Sequence, residues 1–377
     1  MRAAVICQEG LEKISKQEIK ELIGKEGTIK NRVVEFNYEK PEELFRLCYR
    51  GQSFFRVMHL IGECECYTNL KKTAEEIKRC ITREELDFLN GNSFKVICKR
   101  VGHQHYTSND LAPLIGETII NIKKLEVDVK NPEKILYVLI NNNRCYIGVD
   151  IAGYNLSKRE YKIFNHPADI SPVIAYSLVK IADYSAEDTL LDPFSYSSTI
   201  AIEGALFATK TPPNFYRKDS FAFRNFKQYK DFNFERFFEE EDKKILKIKT
   251  KIYSYDSILA NVKASLKNAK IAGVNKNIEF SKVPVEWLDT KFQEGSVSKV
   301  ISSLPSPSKH KPVKKIVKLY KELFYNLRYI MAKKGVFIAL CREKETFIKE
   351  AEGFSIESSQ LIRRGEQELH IIKLIKK

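Results

Sequence analysis

The sequence lacks the features of a membrane protein and of a secreted, disulfide-linked protein. No apolar stretch reaches the roughly 18 residues that a membrane span needs. The first residues, Met1 to Glu9, have the pattern of a β-strand and not that of a signal peptide. The eight cysteines are scattered without the regular spacing of a disulfide framework. We therefore expect no membrane partner and a reducing, cytoplasmic location.

The sequence also lacks a complete metal-binding motif. His103 and His105 could supply half of a metal site, but no cysteine or carboxylate follows at ligand spacing. Cys64 and Cys66 alternate on one predicted strand, which places both sulfurs on the same face. We interpret those two cysteines as core residues and predict that the protein holds no metal.

Positive charge is what the chain has in excess. Over 377 residues the formal net charge is +15, and the isoelectric point is about 9.2. Such an excess favours a polyanionic partner, and nucleic acid is the first candidate. The alternative is an ordinary Lys- and Glu-rich composition with a basic tilt.

The order of predicted strands and helices indicates an α/β protein of several domains. Residues 1–66 have the β-α-β-α-β content of a ferredoxin-like domain. Residues 67–150 form a second α+β unit that ends in a hairpin. Glycine and prolines break the periodicity in a linker over residues 151–171. Residues 172–377 alternate strands and helices as a doubly wound domain does.

A loop of the second unit has the composition of an RNA-binding site. It follows a predicted strand and ends at the start of a helix, for which we predict Ser108 as the cap. Cations, hydrogen-bond donors and an aromatic ring at a helix N-terminus suit a phosphate and an unstacked base. A basic cluster in the linker is expected to face solvent or RNA. The predicted RNA-binding residues are Lys99, Arg100, His103, His105, Tyr106, Ser108, Lys158 and Arg159.

Residues 209–243 interrupt the doubly wound pattern with interleaved aromatic and basic side chains. Such interleaving can bind RNA by stacking and charge. Equally, the aromatic rings could pack an insertion onto the C-terminal domain. The sequence leaves both alternatives open.

The segment from Leu190 to Glu203 has the order in which α/β folds build a cofactor pocket. An apolar strand ends at Asp192, a tight turn follows, and a helix begins at Thr199. Such turns are usually rich in glycine, which lets a ligand approach the main chain. This turn contains no glycine, and Tyr196 stands in its middle.

Several motifs together resemble one known family. The second unit, residues 67–150, resembles a THUMP domain, an RNA-binding module, through Arg100, Gly102, Tyr106-Thr107-Ser108, Asp110-Leu111 and Gly116. The linker and the Ser220-Phe221-Ala222-Phe223 segment resemble those of THUMP-containing, S-adenosylmethionine-dependent RNA guanine-N2 methyltransferases. Within that family they resemble the archaeal type, which methylates a guanosine in the tRNA acceptor stem.

This resemblance implies a fold, a cofactor and a partner. The fold is an N-terminal ferredoxin-like plus THUMP α+β module, followed by a Rossmann-like methyltransferase fold. The cofactor is S-adenosylmethionine, with no metal, and the partner is the acceptor end of tRNA.

The cofactor motif departs from the family at the positions that contact the ligand. The family turn reads Asp-Pro-x-Cys-Gly-Ser-Gly-Thr-Ile, and here both glycines are replaced. The acid for the ribose is retained as Asp256, whereas Val283-Pro284 replaces the acid expected near the adenine. The positions that correspond to cofactor-binding residues are Asp192, Ser195, Tyr196, Ser198, Asp256 and Glu286.

The catalytic motif departs as well. In the family an Asn side chain and a main-chain carbonyl accept hydrogen bonds from the target amine, and a Tyr stacks on the base. The corresponding positions here are Ser303, Pro305 and Ser306. Ser303 can still accept a hydrogen bond, but Ser306 offers no stacking face.

From these departures we predict a tRNA-binding protein on a methyltransferase frame that is catalytically impaired or inactive. One alternative is an active tRNA (guanine-N2-)-methyltransferase with a diverged pocket. Another is a non-catalytic scaffold that supports an RNA-modifying protein partner.

Overall fold

The computed structural model describes residues 1–308, 311–365 and 367–377. Within these residues the chain forms two compact units, each assembled from separate segments. Unit 1 comprises residues 1–7, 15–156 and 214–241. Unit 2 comprises residues 8–14, 157–213 and 242–377.

Strands and helices alternate along most of the chain. The strands are β1 (Arg2–Cys7), β2 (Gly27–Lys30), β3 (Val33–Asn37), β4 (Phe54–Glu65), β5 (Phe94–Val101), β6 (Lys134–Asn141), β7 (Arg144–Asp150), β8 (Thr189–Asp192), β9 (Lys251–Asp256), β10 (Ile278–Lys282), β11 (Val297–Ser303), β12 (Met331–Cys341), β13 (Phe354–Arg364) and β14 (Gln367–Lys376). The helices are α1 (Glu12–Ile23), α2 (Pro41–Arg50), α3 (Leu70–Cys80), α4 (Ser108–Lys123), α5 (Pro172–Ile181), α6 (Thr199–Ala208), α7 (Phe234–Asp242), α8 (Leu259–Ile271), α9 (Val313–Ile330) and α10 (Lys344–Lys349).

Unit 1 contains a single sheet with the strand order β2-β3-β1-β4-β7-β6-β5. The long strand β4 pairs with β1 on one side and with β7 on the other. The expected boundary at residue 66 therefore does not separate two sheets, because the ferredoxin-like and THUMP parts share β4 as a common strand. Sequence periodicity predicts strands but not which strands pair across a domain boundary.

The two faces of this sheet carry different layers. One face packs against helices in a large core that includes Val57, Val138, Phe45 and Leu111. The other face has a smaller apolar layer built from strand residues, among them Met58, Tyr137 and Leu139. This alternation follows from the two-residue period of a β-strand.

The segment of residues 214–241 belongs to unit 1, although it lies within the C-terminal half of the sequence. Phe221 and Phe223 are fully buried, and the Phe223 ring stacks on Phe45 of α2 at 4.3 Å between centroids. Of the two alternatives for this segment, the structure supports packing. The partner is unit 1 and not the C-terminal domain, however. By contrast, Tyr216 is exposed.

Unit 2 contains a second sheet with the order β10-β9-β8-β11-β12-β14-β13. The strands from β10 to β12 are parallel, and β14 is antiparallel to β12. The strand order reverses between β8 and β11, which creates the crevice where open α/β sheets bind ligands. Over the described residues, the longest and most apolar helices fall short of what crossing a bilayer would require.

Candidate functional site

The candidate site lies at the edge of the unit 2 sheet where three neighbouring parallel strands end. Strand β8 ends at Asp192, β9 ends at Asp256 and β11 ends at Ser303. Because β9, β8 and β11 are adjacent, the ends of the three strands lie side by side. This arrangement explains why residues far apart in the sequence form one site.

The turn after β8 keeps a glycine-like main chain without glycine. Tyr196 has a φ of 51° and Ser198 a φ of 64°. These are the two positions at which the resembled methyltransferases have glycine. A left-handed conformation costs an L-residue roughly 1–2 kcal/mol and is uncommon for a bulky side chain. The turn therefore retains its shape at an energetic cost.

Hydrogen bonds within unit 2 hold the turn in this conformation. The Ser198 N–H donates to the Ser195 carbonyl over 2.6 Å, and the Ser198 hydroxyl bonds the Ser254 hydroxyl. Main-chain carbonyls of the turn accept bonds from α8, where Ser265 donates to Tyr196 at 3.2 Å and Asn268 to Ser197 at 3.3 Å. The turn is thus fixed on both sides.

The Tyr196 ring stacks on His166 with 4.7 Å between centroids and 23° between planes. Burial, followed by the charges of Asp192 and Asp256, raises the pKa of its phenol. The ring lies beside a cavity and is held by a neighbour from the segment that precedes α5. It therefore occupies a defined position at the turn.

This cavity has a volume of about 650 Å³. It brings together Tyr196 with the predicted catalytic positions Ser303 and Ser306. Two arginines that we did not predict also line it. Arg342 donates to the Gln367 side chain at 3.0 Å, and Arg364 donates to the Asp169 carbonyl at 2.8 Å. Arg342 follows β12 and Arg364 is the last residue of β13, and no motif in the sequence identified them.

The carboxylate at the end of β9 already accepts several hydrogen bonds. Asp256 accepts from the main-chain N–H of Tyr196 at 3.0 Å, from that of Ile258 at 2.8 Å, and from the Asn261 side chain at 3.1 Å. A carboxylate has about four lone-pair sites, so these three bonds leave about one unused on Asp256, which is 5% exposed.

Asp192, at the end of β8, is buried and bonded within the protein. It is 1% exposed and accepts from the Ser302 hydroxyl at 2.6 Å. Burial raises its pKa to about 7, against the opposing effect of the Ser302 bond. Its side chain is turned away from solvent and supports the neighbouring strand β11.

Three other predicted cofactor-binding or catalytic residues, Ser195, Glu286 and Pro305, do not line the cavity. Ser195 is 3% exposed, and Glu286 is exposed on a short 3₁₀ turn. Pro305 is buried, and its carbonyl accepts a bond from the Tyr320 phenol at 2.6 Å. The structure therefore brings Tyr196, Ser303 and Ser306 to one cavity but does not bring Glu286 to it.

The predicted RNA-binding residues divide by exposure. Lys99, His103, His105 and Lys158 are exposed, while Arg100 and Ser108 are partly exposed. Arg100 bonds the Gln104 carbonyl at 3.1 Å, which orders the loop. This group remains a set of candidates for RNA contact.

Two of the predicted RNA-binding side chains are turned inward. Tyr106 is 4% exposed, and its phenol donates to Thr73 at 3.3 Å. Arg159 is 4% exposed, and its guanidinium bonds Glu203 of α6 at 3.1 Å. We leave both out of the proposed RNA-binding surface, because a buried, paired side chain cannot reach RNA without unfolding its surroundings. Glu203 lies 44 residues beyond Arg159, and no local pattern reveals that pair.

No group of three or more histidine, cysteine or acidic side chains in residues 1–308, 311–365 and 367–377 has a geometry that could hold a metal ion. Cys64 of β4, Cys80 of α3, Cys98 of β5 and Cys145 of β7 are free thiols, as is Cys66 just after β4. Burial is the main cause of the raised pKa of Cys66 and Cys98, each to about 11. Such thiols are poor nucleophiles and poor ligands, which agrees with a packing role.

The sheet order, the strand-turn-helix at β8 and the position of the cavity together define a Rossmann-like methyltransferase fold. Comparisons with known proteins agree. Residues 159–371 match the RMKL-like methyltransferase domain family, and residues 71–150 match the THUMP domain.

Individual relatives extend over nearly the whole chain. The tRNA (guanine(6)-N2)-methyltransferase of Methanocaldococcus jannaschii is 30% identical over 356 residues, which are 91% of each chain. Among solved structures, a "possible methylase" from Clostridium difficile 630 superposes with a TM-score of 0.84 at 20% identity, covering 100% of this chain and 98% of that one. The structure of SMU.472 in complex with SAH has a TM-score of 0.83 at 18% identity, covering 100% of this chain and 98% of that one.

The chain therefore belongs to the THUMP-containing tRNA guanine-N2 methyltransferase family. The family and the fold class predicted from the sequence are both confirmed. The two structural neighbours are too distant in sequence to carry more than the fold.

Proposed function

We propose that this protein binds tRNA through unit 1 and that its methyltransferase unit has weak or no affinity for S-adenosylmethionine. One observation carries the second half of the proposal. A tyrosine side chain has replaced hydrogen at the turn position where the family has bare main chain, and the turn has kept its glycine-like shape. On this proposal the protein is an RNA-binding member of the family whose catalysis is impaired.

Family membership and charge support tRNA as the partner. The M. jannaschii relative is named for a tRNA guanine, and the THUMP match covers residues 71–150. The net charge of +15 favours a polyanion. Exposed or partly exposed side chains that precede α4 supply contacts, namely Arg100, His103 and His105. We propose the acceptor end of the tRNA as the bound part.

The residues present fit one half of S-adenosylmethionine and not the other. Asp256 has a lone-pair site left for a ribose hydroxyl. The family resemblance implies that the methionine part approaches the main chain at this turn, where the Tyr196 ring is held against His166. When bound in an active relative, the cofactor supplies the methyl group. In this chain its full binding requires the Tyr196 ring to move.

The residues at the end of β11 also support impaired catalysis. Ser303 is shorter than asparagine and has no amide oxygen to accept a bond from the target amine. Ser306 has no ring, and base–aromatic stacking contributes about 1–3 kcal/mol. Each 1.4 kcal/mol of lost transition-state stabilisation slows a reaction about tenfold. Loss of both interactions would reduce the rate by several powers of ten.

An active methyltransferase is the second candidate. It is favoured by the 91% coverage shared with a relative named as a tRNA (guanine(6)-N2)-methyltransferase. The cavity of about 650 Å³ beside Ser303 also leaves room for a flipped base. In that case Asp192, Asp256 and Ser303 would serve the cofactor and the target.

Isothermal titration with S-adenosylmethionine tests the proposal. We expect Kd to be millimolar or weaker for the natural protein and at least tenfold tighter for Tyr196→Gly. Glycine is suited to the left-handed conformation, so this variant should keep the turn. Tyr196→Phe is the matched control: it keeps the ring and should bind as weakly as the natural protein.

Micromolar binding by the natural protein would contradict the proposal. So would transfer of labelled methyl groups to tRNA at an enzymatic rate by the unmodified chain. If cofactor binding is absent but a second subunit co-purifies in fixed ratio, the protein-partner alternative gains support.

A further inference from the structure

Unit 1 contains a second cavity, remote from the methyltransferase motifs in the sequence. Its volume is about 340 Å³. It lies on the sheet face that carries the smaller apolar layer, against Tyr137 and Leu139 of β6. A volume of this size is at the lower end of the range for small-ligand sites. It therefore suits one compact chemical group and not a length of polymer.

Three cations from separate parts of the sheet line this cavity. They are Arg32 in the β2–β3 turn, Arg56 of β4 and Lys99 of β5. The lining residues include no aspartate or glutamate among those the structure describes. Lining of this charge favours an anion.

The geometry shows how residues on distant strands converge. Strands β4 and β5 are separated by β7 and β6. Arg56 extends across this gap, and its guanidinium lies 4.3 Å from the centre of the Tyr137 ring on β6. In the parallel β5–β6 ladder, Ile97 pairs with Tyr137 and Lys99 pairs with Leu139. The Arg56 head group therefore reaches the strand next to Lys99.

Arg56 and Lys99 differ in whether an acidic side chain of the protein balances their charge. Arg56 forms an ion pair with Asp150, which is fully buried. Lys99 is exposed and lines the cavity, and its ammonium makes no hydrogen bond or ion pair with residues 1–308, 311–365 and 367–377. The pKa of Lys99 is lowered by desolvation and by the positive charges of Arg32 and Arg56. An anion in the cavity would relieve that repulsion.

The surrounding groups narrow the chemistry of the ligand. One face of Tyr137 is covered by the Arg56 guanidinium, so it offers no free stacking platform there. Apolar side chains of Ile97, Val101 and Leu139 form much of the remaining wall. Guanidinium and ammonium groups bind phosphate oxygens well. Phe55 also lines the cavity, so it is the three cations, and not an absence of aromatic rings, that favour a phosphate over a base.

We propose that this cavity on the sheet face of unit 1 binds one phosphate group of the tRNA, through Lys99 at its mouth with Arg56 and Arg32. This inference rests on the proposed function, since it needs tRNA as the partner. It adds a phosphate site that is separate from the α4 loop. A phosphate contact of this kind positions RNA without reading its sequence.

Binding of tRNA at several salt concentrations tests the site. For Lys99→Met we expect affinity to fall about three- to tenfold. The slope of log K against log salt should become shallower by about 0.7–0.9, as expected for one lost phosphate contact. Lys95→Met is the matched control. Lys95 lies four residues before Lys99 on β5, which places both on the same face of the strand, and it does not line the cavity. Lys99→Arg, which keeps the charge, should retain the natural slope.

The outcomes separate this site from the proposed function. If the natural protein does not bind tRNA, both proposals fail. If it binds tRNA but Lys99→Met and Lys95→Met have the same affinity and slope, only the phosphate site is wrong. Thermal stabilisation by adenosine monophosphate or inorganic phosphate forms a separate arm. Stabilisation that depends on Lys99, without a change in tRNA binding, would indicate a free-nucleotide site and overturn the RNA assignment.

Discussion

Lys134 is a buried cation in unit 1, with no exposed surface. Its ammonium bonds the Phe88 carbonyl and the Gln228 side chain and lies 4.8 Å from the centre of the Phe226 ring. Burial lowers its pKa to about 7. Lys134 therefore links β6 to the 214–241 segment. Because its pKa is lowered, the ammonium loses its proton near neutral pH.

This lowered pKa predicts a pH dependence of stability. Between about pH 7 and pH 10.4 the unfolded chain holds a proton on Lys134 that the folded chain has released. The free energy of unfolding should therefore rise with pH through this window, by at most about 1.4 kcal/mol per pH unit. Urea unfolding of the natural protein and of Lys134→Met, from pH 7 to pH 10, measures the effect.

All other titrating groups are the same in the two proteins, so their contributions cancel in the difference between the two free energies of unfolding. We expect the stability of the natural protein relative to Lys134→Met to increase as pH rises. A difference that stays constant over this range would show that Lys134 is not deprotonated in the folded protein.

Single residues also mark where sequence reasoning succeeded and failed. The Asp192 to Thr199 turn was correctly placed after a strand, because an apolar run followed by Asp-Pro is a local signal. The burial of Arg159 and Tyr106 was missed, because it depends on Glu203 and Thr73, which lie far along the chain. Local composition predicts a loop, but only tertiary partners decide which of its side chains face solvent.

At the scale of elements, the start of α4 has a complete capping box. The Thr107 hydroxyl accepts from the Asp110 N–H at 3.3 Å, and the Asp110 carboxylate accepts from the Thr107 N–H at 2.7 Å. The predicted cap, Ser108, is instead the first residue of the helix. The difference of one residue arises because both residue types can cap, and only the position of the acid three residues on selects Thr107.

The capping box predicts a local stability effect. Thr107→Ala should lower the free energy of unfolding by about 1 kcal/mol, because it leaves helix N–H groups without an acceptor. Ser108→Ala serves as the control and should change it by less than about 0.5 kcal/mol. Urea denaturation of the two variants provides the measurement. Equal losses would mean that Ser108 contributes to the cap as much as Thr107.

At the scale of the whole molecule, the units are not continuous in sequence. The 214–241 segment contributes Phe221, Phe223 and Phe238 to the core of unit 1. Alternation of strands and helices was enough to predict the α/β class and the Rossmann-like half. It could not predict which unit the 214–241 segment packs against. Aromatic residues pack equally well in either core, and periodicity does not identify the core.

This membership predicts where a core mutation acts. Phe223→Ala should destabilise unit 1 by about 3–5 kcal/mol. Hydrogen exchange should then accelerate in β1, β4 and β7 and not in β8 or β11. Phe324→Ala, in α9 of unit 2, is the matched control and should give the opposite pattern. Faster exchange in β8 and β11 for Phe223→Ala would place the segment with unit 2.

The discontinuity of unit 1 also sets an order for its folding during synthesis. The sheet strands of this unit have all been synthesised by residue 150, yet the rings that complete the core are added only with residues 214–241. Until then Phe45 and Tyr49 lack their aromatic neighbours. The N-terminal core of the nascent chain therefore stays incomplete while α5, β8 and α6 of the Rossmann-like half are translated.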